Sequence, residues 1–220
     1  MPFKQTGAAT DPREIDRFES GVGWIAHPDE EMQRASHALA VDGDVYLIDP
    51  LRIPDLDSMI AEFGELAGVV VLLGRHGRDA VELAAEYEVP LHLPGHVDID
   101  IDRSVAIERH DRELADTGYE IIRVVNWPGW REAALFDGET LVVPEAVGNA
   151  DFFTADDEAL GVSPVLRLTP PSALRGLAPD RVLVGHGPGV LTDGAGALRT
   201  ALRTSRRKAP RAWLDIITPG

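Results

Sequence analysis

Short apolar runs bounded by turn residues alternate along this chain with segments of helical periodicity. Apolar positions at three- and four-residue spacing predict one helix after Pro54 that extends to Leu66, and a second helix from Val81 to Tyr87. The runs that predict buried or half-buried strands are residues 22–27, 38–41, 45–48, 69–73, 89–93, 119–125, 133–136, 141–143 and 181–184. Strands that alternate with helices predict a layered α/β fold, which we assign to a single domain over residues 1–220.

Turn chemistry and the chain ends complete this prediction. Asp42-Gly43 and Asp137-Gly138 separate neighbouring strand runs and predict hairpins, because glycine tolerates the positive φ of a type I′ turn. Residues 1–20 predict an extended or edge segment, and residues 170–172 the start of a short helix. A last helix is predicted over residues 197–209, and its arginines are typical of a solvated basic face or of cations at a helix C-terminus.

Polar side chains cluster where the buried run 69–73 ends. The run breaks at Gly74 into a turn that carries Arg75, His76, Arg78 and Asp79. The run 181–184 breaks in the same way, at Gly185-His186-Gly187. The carboxyl ends of strands in an α/β sheet present loop side chains to ligands, so these two turns are the predicted location of a functional site.

The charge balance excludes some classes of function. Lys+Arg total 21 against 37 Asp+Glu, for a formal charge of -16, which argues against nucleic acid as a partner. Scattered acids with only Lys4 and Lys208 as lysines are typical of proteins from salt-loving microbes. Cysteine is absent, so a metal would need His, Asp, Glu or backbone oxygen. No run predicts a membrane helix or an export signal, and we expect a cytoplasmic protein with a small-molecule ligand and no membrane partner.

Five segments, in order and spacing over residues 22–209, resemble landmarks of the metallo-β-lactamase superfamily. They are Val45-Tyr46-Leu47-Ile48-Asp49-Pro50, Leu72-Leu73-Gly74-Arg75-His76-Gly77-Arg78-Asp79-Ala80, Asn126-Trp127-Pro128-Gly129-Trp130, Val143-Pro144-Glu145-Ala146 and Val184-Gly185-His186-Gly187-Pro188. The resemblance implies a four-layer αββα sandwich, in which two sheets pack face to face with helices outside. It also implies kinship with zinc or iron hydrolases.

The metal-binding motif of that family, H-x-H-x-D-H, is largely replaced here. Arg75 and Gly77 occupy its first two histidine positions. Asp79 keeps the aspartate, and Ala80 stands at the last histidine. At the later landmarks Asn126 replaces a histidine, Glu145 is the nearest match to a bridging aspartate, and His186 matches in kind. Since a guanidinium keeps its proton, Arg75 opposes a metal unless it swings away.

The leading hypothesis is therefore a metallo-β-lactamase fold whose binuclear site is dismantled, with no metal expected and a non-hydrolytic or ligand-binding role. The polar pocket is predicted to be lined by Arg75, His76, Asp79, Asn126, Glu145 and His186. In this hypothesis Arg75 pairs with Asp79 or Glu145 as a fixed cation in place of the metals.

The same residues also have structural interpretations. Asp79 could cap the following helix, and His76 could be a hydrated side chain in an exposed turn. His92 and His96 have a spacing seen in zinc sites, but Pro94-Gly95 separates them. Trp127 and Trp130 could wall a ligand or close the core.

Two other functions stay open. One is a hydrolase of esters, thioesters or lactams, in which a single zinc, iron or manganese ion is held by residues drawn from His76, Asp79, Glu145 and His186. Its catalytic candidates are Asp79, Glu145 and His186. The other is a structural module that supports an oligomer, although nothing in the sequence marks the interface.

Overall fold

A computed structural model of the chain describes residues 1–102 and 104–217. Its strands are β1 (Arg13–Phe18), β2 (Gly21–Ile25), β3 (Ala35–Val41), β4 (Asp44–Ile48), β5 (Glu65–Val70), β6 (Leu91–Pro94), β7 (Ile107–His110), β8 (Glu120–Trp127), β9 (Trp130–Phe136), β10 (Thr140–Val143), β11 (Val147–Gly148), β12 (Gly161–Val162) and β13 (Arg181–Val184). Its α-helices are α1 (Leu56–Ala61), α2 (Ala80–Glu86) and α3 (Gly194–Ile217), and 3₁₀ helices cover Gly74–His76 and Ser172–Leu174.

The strands form two main sheets. The first has seven strands in the order β1-β2-β3-β4-β5-β6-β7, antiparallel from β1 to β4 and parallel from β4 to β7. The second has the order β13-β10-β9-β8, with β13 parallel to β10. The hairpin predicted at Asp42-Gly43 joins β3 to β4, and both of its central residues have positive φ.

Three apolar clusters show how the layers stack. The inner faces of the two sheets meet through residues such as Val70 from the first and Leu135 from the second. On the outer face of the first sheet, α1 and α2 pack through Leu56 and Leu83. On the outer face of the second sheet, α3 packs through Leu198. The order helix, sheet, sheet, helix confirms the predicted four-layer αββα sandwich.

Two helix ends differ most from the prediction. The helix predicted to reach Leu66 ends at Ala61, because the chain turns at Gly64 (φ 152°), where a Cβ would lie 2.0 Å from the backbone oxygen of Gly43. Leu66 instead belongs to β5. The last helix was expected to stop at residue 209 and continues past Pro210 to Ile217, with Ala212 buried against the body of the fold.

Residues 71–73 connect the two sheets. Val71 N–H donates to His92 O of the first sheet (3.1 Å), and Leu72 O accepts from Ala133 N–H of the second (2.9 Å). The predicted run 69–73 is thus the end of β5 plus this crossing segment, which leads into the 3₁₀ helix Gly74–His76. Among the described residues no helix is long and apolar enough to cross a membrane.

Candidate metal centre

His76 points into the protein from the 3₁₀ helix. Its side chain is 3% exposed, and its Nδ1 lies 2.9 Å from Asp49 Oδ2. A carboxylate only accepts, so Nδ1 carries the proton and donates it, which leaves Nε2 facing the other way. The interpretation of His76 as a hydrated side chain in an exposed turn is wrong, because the ring is buried and hydrogen-bonded to Asp49, the residue that follows β4.

The Asp49 carboxylate also accepts a hydrogen bond from the backbone of the crossing segment 71–73. Its Oδ1 accepts the N–H of Leu72 at 2.9 Å, so one carboxylate fixes both the crossing segment and the ring of His76. Asp49 has φ 45°, a left-handed conformation that non-glycine residues seldom adopt. Asp49 was not among the predicted site residues, although its position between a buried strand and Pro50 was a signal.

His186 follows β13 and is 1% exposed. Its Nδ1 donates to the carbonyl of Met32 at 2.8 Å, and its ring stacks on Phe153 with centroids 4.9 Å apart. Burial lowers the pKa of His186 to about 4, so the imidazole is neutral near pH 7. With the proton on Nδ1, Nε2 is left with a free lone pair, and it lies 3.3 Å from Nε2 of His76.

The turn that carries His186 needs glycine. A Cβ on Gly185 would lie 2.2 Å from the oxygen of Pro144 and 3.2 Å from Cε1 of His76. The strand ends of β10 and β13 can therefore bring His186 and Glu145 to the ring of His76 only because position 185 has no side chain.

Glu145 follows β10 and is the third member of the group. Its Oε2 lies 3.2 Å from Nε2 of His76 and 3.8 Å from Nε2 of His186. Burial alone would raise the pKa of Glu145, but the contacts with His186, His76 and Arg75 outweigh burial and hold it well below the ordinary value. Glu145 is therefore a carboxylate across the physiological range.

Arg75 covers this group from the outside. Its Nε and Nη2 donate to the two oxygens of Glu145 at 2.9 and 2.8 Å, and its guanidinium lies 4.2 Å from the ring centroid of Trp130. The side chain of Arg75 is 36% exposed, against 15% for Glu145. This bidentate contact, or fork, between a guanidinium and a carboxylate is strong and fixes their relative orientation. Because the Arg75 side chain is partly exposed, it can move toward solvent.

Arg78 is a partly buried cation beneath the same site. It donates to the backbone carbonyls of Ala35 (2.5 Å), Asp49 (2.7 Å) and Gly185 (3.2 Å). These bonds hold together the start of β3 and the chain just after β4 and after β13. Burial lowers the pKa of Arg78 to about 10, which keeps it charged at neutral pH. Arg78 was predicted to lie in this turn, but no role was predicted for it.

Glu132 supports the site from β9 and is fully buried. Its Oε1 accepts the N–H groups of Glu145 (2.9 Å) and Ala146 (2.7 Å), and its Oε2 accepts the indole N–H of Trp130 (2.6 Å). Burial raises the pKa of Glu132 to about 7 despite these three donors. Glu132 thus fixes both the backbone of Glu145 and the ring of Trp130, on which Arg75 lies. No local sequence pattern predicted this role.

The predicted pocket is only partly assembled. Arg75, His76, Glu145 and His186 meet, whereas the side chains of Asp79 and Asn126 form no hydrogen bond or ion pair with them within the described part of the chain. Asp79 precedes α2 without capping it by a side-chain hydrogen bond, and its Oδ2 accepts from Arg52 N–H at 2.7 Å. Asn126 is exposed on β8, opposite Arg131.

The donor set of His76, Glu145 and His186 fits a metal ion. One ligand atom from each lies within 4.8 Å of the others, at separations of 3.2, 3.3 and 3.8 Å. Bonds of about 2.0–2.1 Å in a tetrahedral zinc site place ligand atoms about 3.3–3.4 Å apart. Both imidazoles have Nδ1 engaged by an acceptor, the arrangement that directs Nε2 to a metal.

A cleft of about 380 Å³ adjoins the site and is lined by Leu73, Gly74, Arg75, Asp98, Gly129 and Arg131. A second histidine pair lies on the first sheet, where His92 Nδ1 is 2.9 Å from His110 Nε2 and Glu108 is near both. His92 is thus paired with His110, and His96 contacts the carbonyl of Glu132 instead.

Comparisons with known proteins relate the chain to solved structures. No protein-family model matches it, and no curated protein matches it. The metallo-β-lactamase DIM-1 exposed to ceftazidime matches with a TM-score of 0.59 at 12% identity, covering 94% of this chain and 100% of that one. VMB-1 at pH 5.5 matches with a TM-score of 0.57 at 10% identity, over 90% and 100% of the two chains.

A metallo-β-lactamase from Staphylococcus aureus subsp. aureus COL matches with a TM-score of 0.51 at 15% identity, over 86% of this chain and 64% of that one. At these identities the likeness concerns the fold, and it agrees with the layer order and with the landmarks in the sequence. The chain has the metallo-β-lactamase fold.

Proposed function

We propose that the protein binds one divalent metal ion through His76 Nε2, Glu145 Oε2 and His186 Nε2, and that it is a hydrolase with a mononuclear centre. The observation that carries the proposal is the convergence of these three atoms, at separations of 3.2 to 3.8 Å, with each imidazole held by an acceptor on its Nδ1. Zinc, iron and manganese all suit two imidazoles and a carboxylate.

The charges nearest the donors allow such a centre. Arg75 and Arg78 contribute two positive charges, and Asp49 and Glu145 contribute two negative ones, so these four side chains are neutral in sum before an ion enters. Arg78 is fixed by carbonyl groups beneath the site, and Arg75 is the group that can withdraw. Swinging Arg75 toward solvent would free the oxygens of Glu145.

When bound, the ion would supply Lewis-acid polarisation and activate water, the usual contributions of a catalytic metal. The chain's own residues orient the site: Asp49 fixes the ring of His76, the Met32 carbonyl fixes the ring of His186, and Glu132 holds the backbone of Glu145. Arg75 and Arg131 line the adjoining cleft, Arg131 in an ion pair with Asp98, and a substrate carboxylate would compete with Asp98 for the guanidinium of Arg131. Esters, thioesters and lactams are the proposed substrate classes, by analogy of fold.

Metal analysis of protein purified without chelator or an affinity-tag metal tests the proposal. We expect close to one zinc, iron or manganese ion per chain, lost in His186→Ala. The matched control is His110→Ala, which removes a histidine from the second pair and should keep the ion of the first site. Wild-type protein without metal, or a His186→Ala variant that keeps it, would overturn the proposal.

A second candidate is the dismantled site with a non-hydrolytic, ligand-binding role, and the Arg75–Glu145 fork favours it. In this arrangement the guanidinium takes both oxygens of Glu145 and serves as the fixed cation. A protonated His76 would then donate to Asp49 on one side and to Glu145 on the other. Metal-free wild-type protein that binds a small carboxylate, and loses that binding in Arg131→Met, would support this candidate.

A further inference from the structure

A second cavity lies on the opposite side of the second sheet from the inner core. It has a volume of about 440 Å³ and sits between the segment around the 3₁₀ helix Ser172–Leu174 and α3. Three of its lining side chains, Leu174, Leu198 and Leu202, belong to the apolar cluster that joins α3 to the sheet. The volume falls within the range of about 300–1,000 Å³ that is usual for small-molecule sites.

Arginine surrounds this apolar floor. The cavity is lined by Arg175, Arg199, Arg203 and Arg206, of which the last three recur at four- and three-residue spacing along one face of α3. None of the four forms an ion pair with any residue that the structure describes, and Arg206 Nε donates to the carbonyl of Leu168 at 2.8 Å. The lining of this cavity therefore carries four positive charges and no acidic residue, although the chain as a whole has a net charge of -16.

The chemistry of the lining specifies the ligand. Like charges on neighbouring turns of a helix repel one another, and an anion placed among them relieves that repulsion. Guanidinium groups match the geometry of a carboxylate, while the leucines favour an apolar body. We propose that this cavity binds a small organic acid, with its carboxylate at the arginines and its apolar chain over Leu174, Leu198 and Leu202.

The proposal is independent of the metal centre. The cavity lies where α3 covers the outer face of the second sheet, and it shares no residue with the group of His76, Glu145 and His186. The alternative is the ordinary one for a basic helix, a solvated face whose charges serve solubility. If the face is only solvated, the arginines and the leucines would not bind one ligand together, and an anion with an apolar chain would bind no better than either part alone.

Calorimetric titration with octanoate tests the proposal, with acetate and 1-octanol as probes that carry only the anion or only the apolar chain. We expect octanoate to bind at least about tenfold more tightly than either probe, because only octanoate makes both kinds of contact. Added KCl should weaken octanoate binding by screening the arginines.

The variant Arg199→Gln/Arg203→Gln should weaken octanoate at least about tenfold, the loss expected when charged hydrogen bonds to one ligand are removed. Arg207→Gln is the matched control, since it neutralises an arginine of the same helix that does not line the cavity, and it should leave the affinity unchanged. Circular dichroism would verify that both variants are folded. Octanoate that does not bind, binds no better than octanol, or binds the double variant as tightly as wild type would overturn the proposal.

Discussion

Arg75→Met is the substitution that best separates a metal centre from a site in which arginine replaces the metal. Arg75 Nε lies 2.9 Å from Glu145 Oε2, and a metal–oxygen bond is about 2 Å, so the guanidinium and a bound ion would be about 5 Å apart. A unit charge and a divalent ion at about that distance repel by about 2 kcal/mol in water and about 7 kcal/mol at an effective dielectric near 20. Because the Arg75 side chain is 36% exposed, the lower figure is the appropriate one.

Methionine keeps much of the side-chain volume over Trp130 and removes the charge. We expect Arg75→Met to tighten zinc or manganese binding by at least about tenfold, since about 1.4 kcal/mol corresponds to one factor of ten. The assay is a titration of chelator-stripped protein in competition with a chromophoric chelator. Arg131→Met is the control, because Arg131 lines the same cleft but does not contact the three ligand atoms among the described residues.

The result that refutes this reasoning is a metal affinity in Arg75→Met that is no higher than in Arg131→Met. If neither variant nor the wild type binds metal, the two hydrogen bonds from Arg75 to Glu145 are the functional arrangement of the site, with arginine in place of the metal. Arg75→Met would then leave the partly buried Glu145 carboxylate without the guanidinium that donates to both of its oxygens, and the free energy of unfolding should fall. Breaking such a partly buried pair costs up to about 3 kcal/mol.

The other predictions concern the residues around the site. Glu132→Ala leaves three buried N–H groups without an acceptor and should lower the unfolding free energy by about 3 kcal/mol or more, measured in urea, with Glu132→Gln as the milder control. Asp79→Asn weakens one backbone hydrogen bond and should cost about 1 kcal/mol without changing metal content. Gly185→Ala forces a methyl group against the oxygen of Pro144 and should lower both stability and metal affinity; unchanged binding would contradict the proposed packing. Burial lowers the pKa of His92, so the folded state binds a proton at this imidazole less tightly than the unfolded state does. The free energy of unfolding should therefore fall as the pH drops below about 6.5, the pKa in the unfolded chain, and through the lower pKa of the folded state. His92→Asn should flatten this pH dependence in urea titrations.

The fold was predictable because its signals are local and mutually consistent. The Asp42-Gly43 turn, the apolar run that ends at Gly74 and the apolar faces of α1 and α2 each identify one element, and their order identifies the sandwich. The prediction was wrong at the ends of helices, and one of these has a clear cause: periodicity continued through Leu66, whereas the helix ends at Ala61. The cause is a contact between Gly64 and Gly43, twenty-one positions apart in sequence, which no local pattern reports.

The site was harder to predict because side-chain direction in a short 3₁₀ helix follows from tertiary contacts. Alignment by position set Arg75 and Gly77 at the histidine positions and left His76 between them. In the structure the helix Gly74–His76 turns the ring of His76 inward, and Asp49, far away in sequence, captures its Nδ1. A histidine outside the motif's register can thus lie close to Glu145 and His186, so the loss of a metal motif in sequence still leaves a group of candidate metal ligands in space. The proposed centre depends on that distinction, and Asp49→Asn tests it: the ring of His76 would lose its charged partner, and metal affinity should fall by about tenfold or more while Glu145 and His186 stay in place.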